Sequence, residues 1–117
     1  MTEIRLPWPP SELSPNSRLH WSALARAKKR YRQACWATTL EAKAAVAHCG
    51  KLRLELIFHK PTRREMDRDN LLARMKAGLD GVADALKVND RRFDPIIIRV
   101  ADEIGGFVTM RIFEENE

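Results

Sequence analysis

The stretch Lys51–Phe58 constrains the fold more than any other part of this chain, because apolar side chains recur in it at every second position. Successive side chains of a β-strand point to opposite faces, so a period of two predicts a strand with one buried face. The buried face would consist of Leu52, Leu54, Leu56 and Phe58. Such a strand needs neighbouring strands and a covering layer.

Two amphipathic helices are predicted to form that covering layer. Over Ser22–His48 the apolar positions recur at spacings of three, four and seven, and Gly50 is expected to end this first helix. The apolar stripe of a second helix predicts its extent as Asp69–Leu86. That stripe consists of Leu72, Met75, Leu79, Val82, Ala83 and Leu86.

Three further apolar runs complete the predicted sheet. The first, Ile4–Leu6, ends in a proline-rich exit, and the other two are Ile96–Val100 and Phe107–Phe113. Gly105-Gly106 between the last two suits a hairpin connection. The predicted order is therefore β-α-β-α-β-β, an α+β domain of two layers with both helices on one face of a small mixed sheet. With 117 residues, we expect one domain over positions 1–117.

Charge and composition narrow the class of protein. Lys and Arg number 21 against 16 Asp and Glu, which gives a formal net charge of +5 and favours a polyanionic partner such as nucleic acid. The chain has no long uncharged run and no pattern of a secretory signal, so we expect a cytoplasmic protein without a membrane partner. Two cysteines without a CxxC motif argue against structural zinc.

The segment Asp67-Arg68-Asp69-Asn70 lies where the second helix is predicted to begin. The simple interpretation is helix capping, because Asp and Asn before a helix accept its first backbone N–H groups. One cap does not need both Asp67 and Asp69. The alternative is that the two carboxylates converge on Mg²⁺, which prefers a few carboxylates together with water and substrate phosphate.

Lys76 and Asp80 fall on the same helix edge as Asp69, since seven and eleven residues at 100° each return to nearly the same direction. Lys76 is a candidate to stabilise the charge that develops on a phosphate during hydrolysis. Asp90 is the first candidate for a third metal ligand, and Asp80 is the alternative. In the alternative interpretation, Lys76 and Asp80 are four residues apart on a helix and form a solvated ion pair, and Asp90 is a turn residue.

Basic residues surround this acidic segment and cover the first helix, which offers a path for a DNA backbone or, in the simpler interpretation, a solvated surface. We predict DNA contacts from Arg18, His20, Lys28, Lys29, Arg30, Arg63, Arg64 and Arg68. Three tryptophans are candidates for stacking on unpaired bases or for the core. They are Trp8, Trp21 and Trp36.

Five motifs carry a resemblance that runs through nearly the whole chain. They are Leu6-Pro7-Trp8-Pro9-Pro10, Ser14-Pro15-Asn16-Ser17-Arg18-Leu19-His20-Trp21, Asp67-Arg68-Asp69-Asn70-Leu71, Lys76-Ala77-Gly78-Leu79-Asp80-Gly81 and Asn89-Asp90. In this order they resemble the RusA family of Holliday junction resolvases, common in prophages. The resemblance implies a Mg²⁺-dependent endodeoxyribonuclease, with Mn²⁺ as a substitute and no small-molecule cofactor. It also implies a homodimer that makes paired, symmetric nicks in a four-way DNA junction during recombination and repair.

The resemblance further implies that the metal-binding, catalytic aspartates are Asp67, Asp69 and Asp90. It implies a catalytic lysine as well, which in the family follows the DxDN motif more closely than Lys76 does. At the closer spacing this chain has Ala73, and Lys76 matches by its local context if about one helical turn has been inserted. Two alternatives to a resolvase are a non-catalytic DNA-binding module and a related nuclease that acts on other branched DNA.

Overall fold

The chain forms four strands and two long helices in the order β-α-β-α-β-β, so the predicted α+β class and element order are confirmed. This is a computed structural model, and it describes residues 1–117. The strands are β1 (Thr2–Pro7), β2 (Leu52–His59), β3 (Phe93–Val100) and β4 (Phe107–Glu114). The helices are α1 (Trp21–Glu41) and α2 (Arg68–Leu86). No helix is long and apolar enough to cross a membrane.

The sheet has the strand order β1-β4-β2-β3, and this order contradicts the predicted hairpin between the last two strands. β2 and β3 are parallel neighbours joined through α2, while β4 lies antiparallel between β1 and β2. The edge position suits β3 because Pro95 has no N–H to donate to a neighbouring strand. Gly105 and Gly106 instead donate backbone hydrogen bonds to the end of β2, at Lys60 and His59.

One face of the sheet carries the hydrophobic core, as the period of two predicted. Leu52, Leu54, Leu56 and Phe58 are fully buried. β4 adds three buried side chains to the same face and β1 adds two. These are Val108, Met110 and Ile112, together with Ile4 and Leu6. Both helices cover this face, and the 19 buried apolar residues form a single cluster.

The two helices approach each other closely at glycines of α2. A Cβ at Gly81 would overlap the backbone oxygen of Arg32, and a Cβ at Gly78 would lie 2.9 Å from the sulfur of Cys35. The hydroxyl of Tyr31 donates a hydrogen bond to Pro7 O at 2.7 Å and so ties α1 to the end of β1. The relative position of the helices therefore depends on backbone-to-backbone contact in this region.

The first helix ends earlier than predicted. α1 stops at Glu41, and Lys43 adopts a left-handed conformation with φ of 53°, so the prediction of helix to His48 is wrong. The next residues turn back, where Ala44 and Val46 pack against the core and the Glu114 carboxylate accepts the Ala47 N–H at 2.9 Å. The apolar spacing had continued past the helix because this returning segment is also partly buried.

The chain's two thiols are predicted to differ sharply in reactivity. Cys35 is fully buried between the helices and burial raises the pKa of its thiol to about 12, whereas Cys49 is exposed. A thiol in an unfolded chain has a pKa of about 8.5, so the protonated form of Cys35 contributes stability that is present at neutral pH and lost as the pH rises toward 12. With a chromogenic disulfide reagent at pH 8, we expect one thiol to react rapidly and the second only on unfolding. Two rapid thiols would contradict the helix packing described here.

Candidate functional site

Asp67 is the N-cap of α2. Its backbone is extended, and its Oδ1 accepts the backbone N–H of Asp69 at 2.8 Å. The capping interpretation is therefore confirmed for this residue. The cap uses Oδ1 and leaves Oδ2 without a protein hydrogen bond. Asp69 stands exposed in the first helical turn and its carboxylate has no ion-pair or hydrogen-bond partner.

A cleft lies beside this helix start, which we call the cap cleft. It is lined by Ser14, Ser17, Arg64, Asp67, Asn70 and Arg74, with further acidic side chains at its border. The Ser14–Ser17 loop, which the sequence predicted as a surface loop, forms one wall. Arg64 and Asp67 thus line the same cleft, while Arg63 and Arg68 are exposed near the same end of α2.

Lys76, Asp80 and Asp90 come together on the α2 side of the sheet edge. They border a cleft with an apolar floor that includes Leu72 and Phe93, which we call the lysine cleft. Asp90 begins a short 3-10 turn after α2, and the Asn89 side chain caps that turn by accepting the Arg91 N–H at 2.9 Å. Lys76 and Asp80, which helical spacing placed on one edge of α2, therefore line one cleft, and Asp90 borders the same cleft.

The three predicted metal ligands are not gathered at one point. Asp67 borders the cap cleft and Asp90 borders the lysine cleft, and no group of three or more His, Cys, Asp or Glu side chains is arranged to hold a metal ion. The aspartates have the hard oxygen atoms that Mg²⁺ prefers. Their arrangement here, however, does not fit a three-carboxylate magnesium centre.

A third, larger cleft of about 590 Å³ shares lining side chains with both of these clefts, and we call it the central cleft. Its polar lining comes mainly from Ser17, Lys28, Lys29, Arg32, Arg74 and Lys76, with Asp80 as its carboxylate. It shares Ser17 and Arg74 with the cap cleft and Lys76 and Asp80 with the lysine cleft. We call these three adjoining clefts together the groove; Asp67 borders the cap cleft and Asp90 borders the lysine cleft.

Several residues predicted to contact DNA have structural partners. Arg30 forms an ion pair with Glu12 at 3.4 Å. His20 is the N-cap of α1, where its Nδ1 accepts the Ser22 N–H at 3.2 Å. Arg18 lies exposed in the preceding loop. Of the predicted basic residues, the structure brings Lys28 and Lys29 into the central cleft and Arg64 into the cap cleft.

The tryptophans divide between core and surface. Trp8 packs edge-on against Phe58, with ring centroids 5.9 Å apart. Trp21 and Trp36 are instead 76% and 45% exposed. Trp8 is therefore an anchor of the core, and the two others remain available to a partner.

Arg74 lines the groove but is not among the site residues predicted from the sequence. It is 6% exposed and borders both the central cleft and the cap cleft. Its helical spacing from Leu71 and Gly78 places it on the buried face of α2. An arginine within an otherwise apolar stripe is the sequence signal that could have identified it.

Comparison with known proteins supplies no function for this site. No protein-family model matches the chain. An uncharacterized protein of Xylella fastidiosa (strain Temecula1 / ATCC 700964) is 42% identical over 98 residues, which are 80% of this chain. The matched stretch spans 63% of that relative's length, so the chain is similar to a part of a longer protein.

Proposed function

We propose that this protein is a Mg²⁺-dependent endodeoxyribonuclease that resolves four-way DNA junctions as a homodimer in the cytoplasm. One observation carries the proposal: a single groove combines a strongly basic centre with the aspartates Asp67 and Asp90 and with Lys76. The order of motifs that resembles the RusA family supports the same activity. A four-way junction has two-fold symmetry, so a symmetric dimer accounts for paired nicks by so small a chain.

The basic centre of the groove would hold the DNA backbone. Lys28 and Lys29 from α1 and Lys76 from α2 line the central cleft. Contacts of lysine and arginine with phosphates release counterions and supply affinity that does not depend on base sequence. The groove therefore suits a substrate recognised by the shape and charge of its backbone.

Lys76 is the residue best suited to act on the scissile phosphate. Lys76 is exposed and lines both the central cleft and the lysine cleft. Asp80 and Asp90 also line the lysine cleft. A fixed ammonium group beside a phosphate stabilises negative charge that develops on its oxygen atoms during hydrolysis.

In this proposal, Mg²⁺ binds to the complex of the protein with DNA rather than to the free protein. Mg²⁺ is commonly bound by one or two protein carboxylates together with substrate phosphates and water, so it does not need three gathered aspartates in the free protein. Asp69 is the first candidate because its carboxylate is exposed and unpartnered. When bound, the metal would supply Lewis-acid activation of the phosphodiester.

The direct test is incubation of the purified protein with a synthetic four-way junction, a fork and a linear duplex of shared sequence. With Mg²⁺ we expect cleavage of the junction in preference to the other two substrates, and with EDTA none. Cleavage of forks and junctions alike would favour a nuclease for branched DNA in general. Binding of all substrates without cleavage in Mg²⁺ or Mn²⁺ would favour a non-catalytic DNA-binding module and overturn the proposal.

A double substitution Lys28→Ala and Lys29→Ala tests the role of the central cleft. Both side chains are exposed on α1, where alanine favours helix, so we expect the fold to be kept. Each lost phosphate contact lowers the slope of log affinity against log salt by about 0.9 for duplex DNA. We therefore expect weaker junction binding and a salt slope shallower by about 1 to 2. Lys43→Ala and Lys87→Ala, which remove two exposed lysines outside the groove, form the matched control. Equal effects of the two pairs would contradict the placement of DNA in the groove.

A further inference from the structure

Arg74 is a buried cation with no anionic partner in the protein. It is 6% exposed, and its only hydrogen bond runs from Nη2 to Pro9 O at 2.6 Å. Its Nε–H is buried and has no acceptor. The guanidinium lies 5.8 Å from the centre of the Trp8 ring, which interacts with a cation but accepts no hydrogen bond of ordinary strength. Burial accordingly lowers the pKa of Arg74.

Such an arrangement is unfavourable in the free protein. A buried charge normally has a partner charge, and a buried N–H normally has an acceptor. A simple structural role, attachment of Pro9 to α2, would need a single neutral donor. The guanidinium instead has donors left over, in a geometry that matches two oxygen atoms of one phosphate or carboxylate group.

The charges of the side chains around Arg74 indicate whether its ligand is an anion or a neutral molecule. Arg74 lines both the central and the cap cleft, and in the central cleft Lys28, Lys29 and Lys76 accompany it. The guanidinium of Arg32, which also lines that cleft, is paired with Asp84 at 2.7 Å. Asp80 is the only carboxylate that lines the central cleft. The cap cleft is less positive because Glu12, Glu65 and Asp67 line it. A phosphate is therefore favoured on the central side of Arg74.

We propose that Arg74 binds one phosphate group in the central cleft, with the hydroxyl groups of Ser14 and Ser17 as additional donors. Both serines belong to the loop that lines the same cleft, and Ser14 Oγ already accepts the Asn16 N–H at 3.3 Å, which leaves its own proton free to donate. The phosphate is that of a DNA strand, an identification that rests on the proposed function. It would hold the strand against α2 at the buried centre of the groove.

The first measurement uses the unaltered protein and inorganic phosphate. We expect the Nε–Hε resonance of Arg74 in a ¹⁵N NMR spectrum to shift in a saturable manner as phosphate is added. The resonance of Arg99, which is exposed on β3 and 3.6 Å from Glu55, should move far less. Because this measurement needs no substitution at Arg74, it tests phosphate binding even if an Arg74 variant fails to fold. An Arg74 resonance that does not respond to phosphate would overturn the proposal.

Variants then test the geometry of binding. Arg74→Met removes the charge, and we expect about tenfold or greater loss of phosphate affinity, because charge-assisted paired hydrogen bonds are lost. Arg74→Lys keeps the charge but not the fork, and we expect an intermediate loss. Arg99→Met is the matched control and should retain the affinity. Thermal unfolding of each variant verifies that it is folded, and full affinity in folded Arg74→Met would overturn the proposal.

The source of the phosphate is tested with a four-way junction. We expect Arg74→Met to make the slope of log affinity against log salt shallower by about 0.9, the contribution of one phosphate contact. An unchanged slope, with inorganic phosphate still bound by Arg74, would overturn the assignment to DNA. If the unaltered protein binds junctions in this way but does not cleave them, the endonuclease proposal fails and the phosphate site stands. The endonuclease proposal and the phosphate-site proposal can therefore be refuted independently of each other.

Discussion

The variant Asp69→Asn is expected to lose at least about 100-fold in the rate of junction cleavage while its junction affinity is unchanged or higher. Asparagine has nearly the shape of aspartate but removes the negative charge on which binding of a divalent cation depends. Asp69 is exposed and does not cap α2, because the cap is Asp67. The substitution should therefore leave the fold intact, and removal of a negative charge near the groove should favour the DNA backbone.

Single-turnover cleavage of a labelled junction measures this effect separately from binding. The matched control is Asp102→Asn, an exposed aspartate in the connection between β3 and β4, which should cleave at the rate of the unaltered protein. A gel-shift titration with EDTA gives the affinity without turnover. An Asp69→Asn variant that cleaves at the normal rate would remove Asp69 from the site, and parallel loss of binding and cleavage would contradict its metal-binding role.

The variant Gly81→Ala is expected to destabilise the fold by about 3 kcal/mol, although alanine is ordinarily the better helix former by about 1 kcal/mol. A Cβ at Gly81 would overlap the backbone oxygen of Arg32 and lie 3.1 Å from the backbone nitrogen of Trp36. Backbone atoms of α1 cannot rotate away as a side chain can. The two helices would have to separate, which would expose apolar surface between them.

Urea unfolding followed by circular dichroism measures this loss. Gly78→Ala is the comparison, because its Cβ would meet the side chains of Tyr31 and Cys35, which can adjust to some extent. We expect a smaller loss for Gly78→Ala than for Gly81→Ala. A Gly81→Ala variant as stable as the unaltered protein would contradict the close approach of α1 and α2.

The fold class was predictable because its signals are local. The period of two in β2 identifies a strand and its buried face without knowledge of the rest of the chain. The apolar stripe of α2 identifies the helix, although Leu71 is fully buried where the stripe had placed Leu72, which is only partly buried. The end of α1 was not predictable in the same way. Lys43 takes the left-handed conformation that usually belongs to glycine, and the segment beyond it keeps an apolar spacing because it packs on the core.

The order of the strands depends on contacts between distant parts of the chain. Gly105-Gly106 resembles a hairpin turn, but β4 pairs with β1 and β2 because its alternate buried residues need a position inside the sheet. β3 takes the edge beside β2, where Pro95 is tolerated. No local pattern distinguishes these arrangements.

The candidate site was predictable in its residue types and less so in its geometry. Helical spacing correctly associated Lys76 with Asp80, and Asp90 joins them at the lysine cleft. The sequence anticipated a helix cap in this segment, but not that Asp67 would border a different cleft from Asp90. Spacing places Arg74 on the buried face of α2, but the absence of a hydrogen-bond partner for its Nε–H is a property of the packed structure.

Cleavage of a plasmid that extrudes a cruciform is the measurement that tests the central claim most directly. A cruciform is a four-way junction in closed circular DNA, so two symmetric nicks made within one complex convert the plasmid to a linear product, whereas a single nick gives an open circle. We predict linear product from the first turnover in Mg²⁺, with the two nicks at equivalent positions on opposing strands. A plasmid that stays closed in Mg²⁺ and in Mn²⁺, although the protein binds it, would contradict the claim that this protein is a junction resolvase.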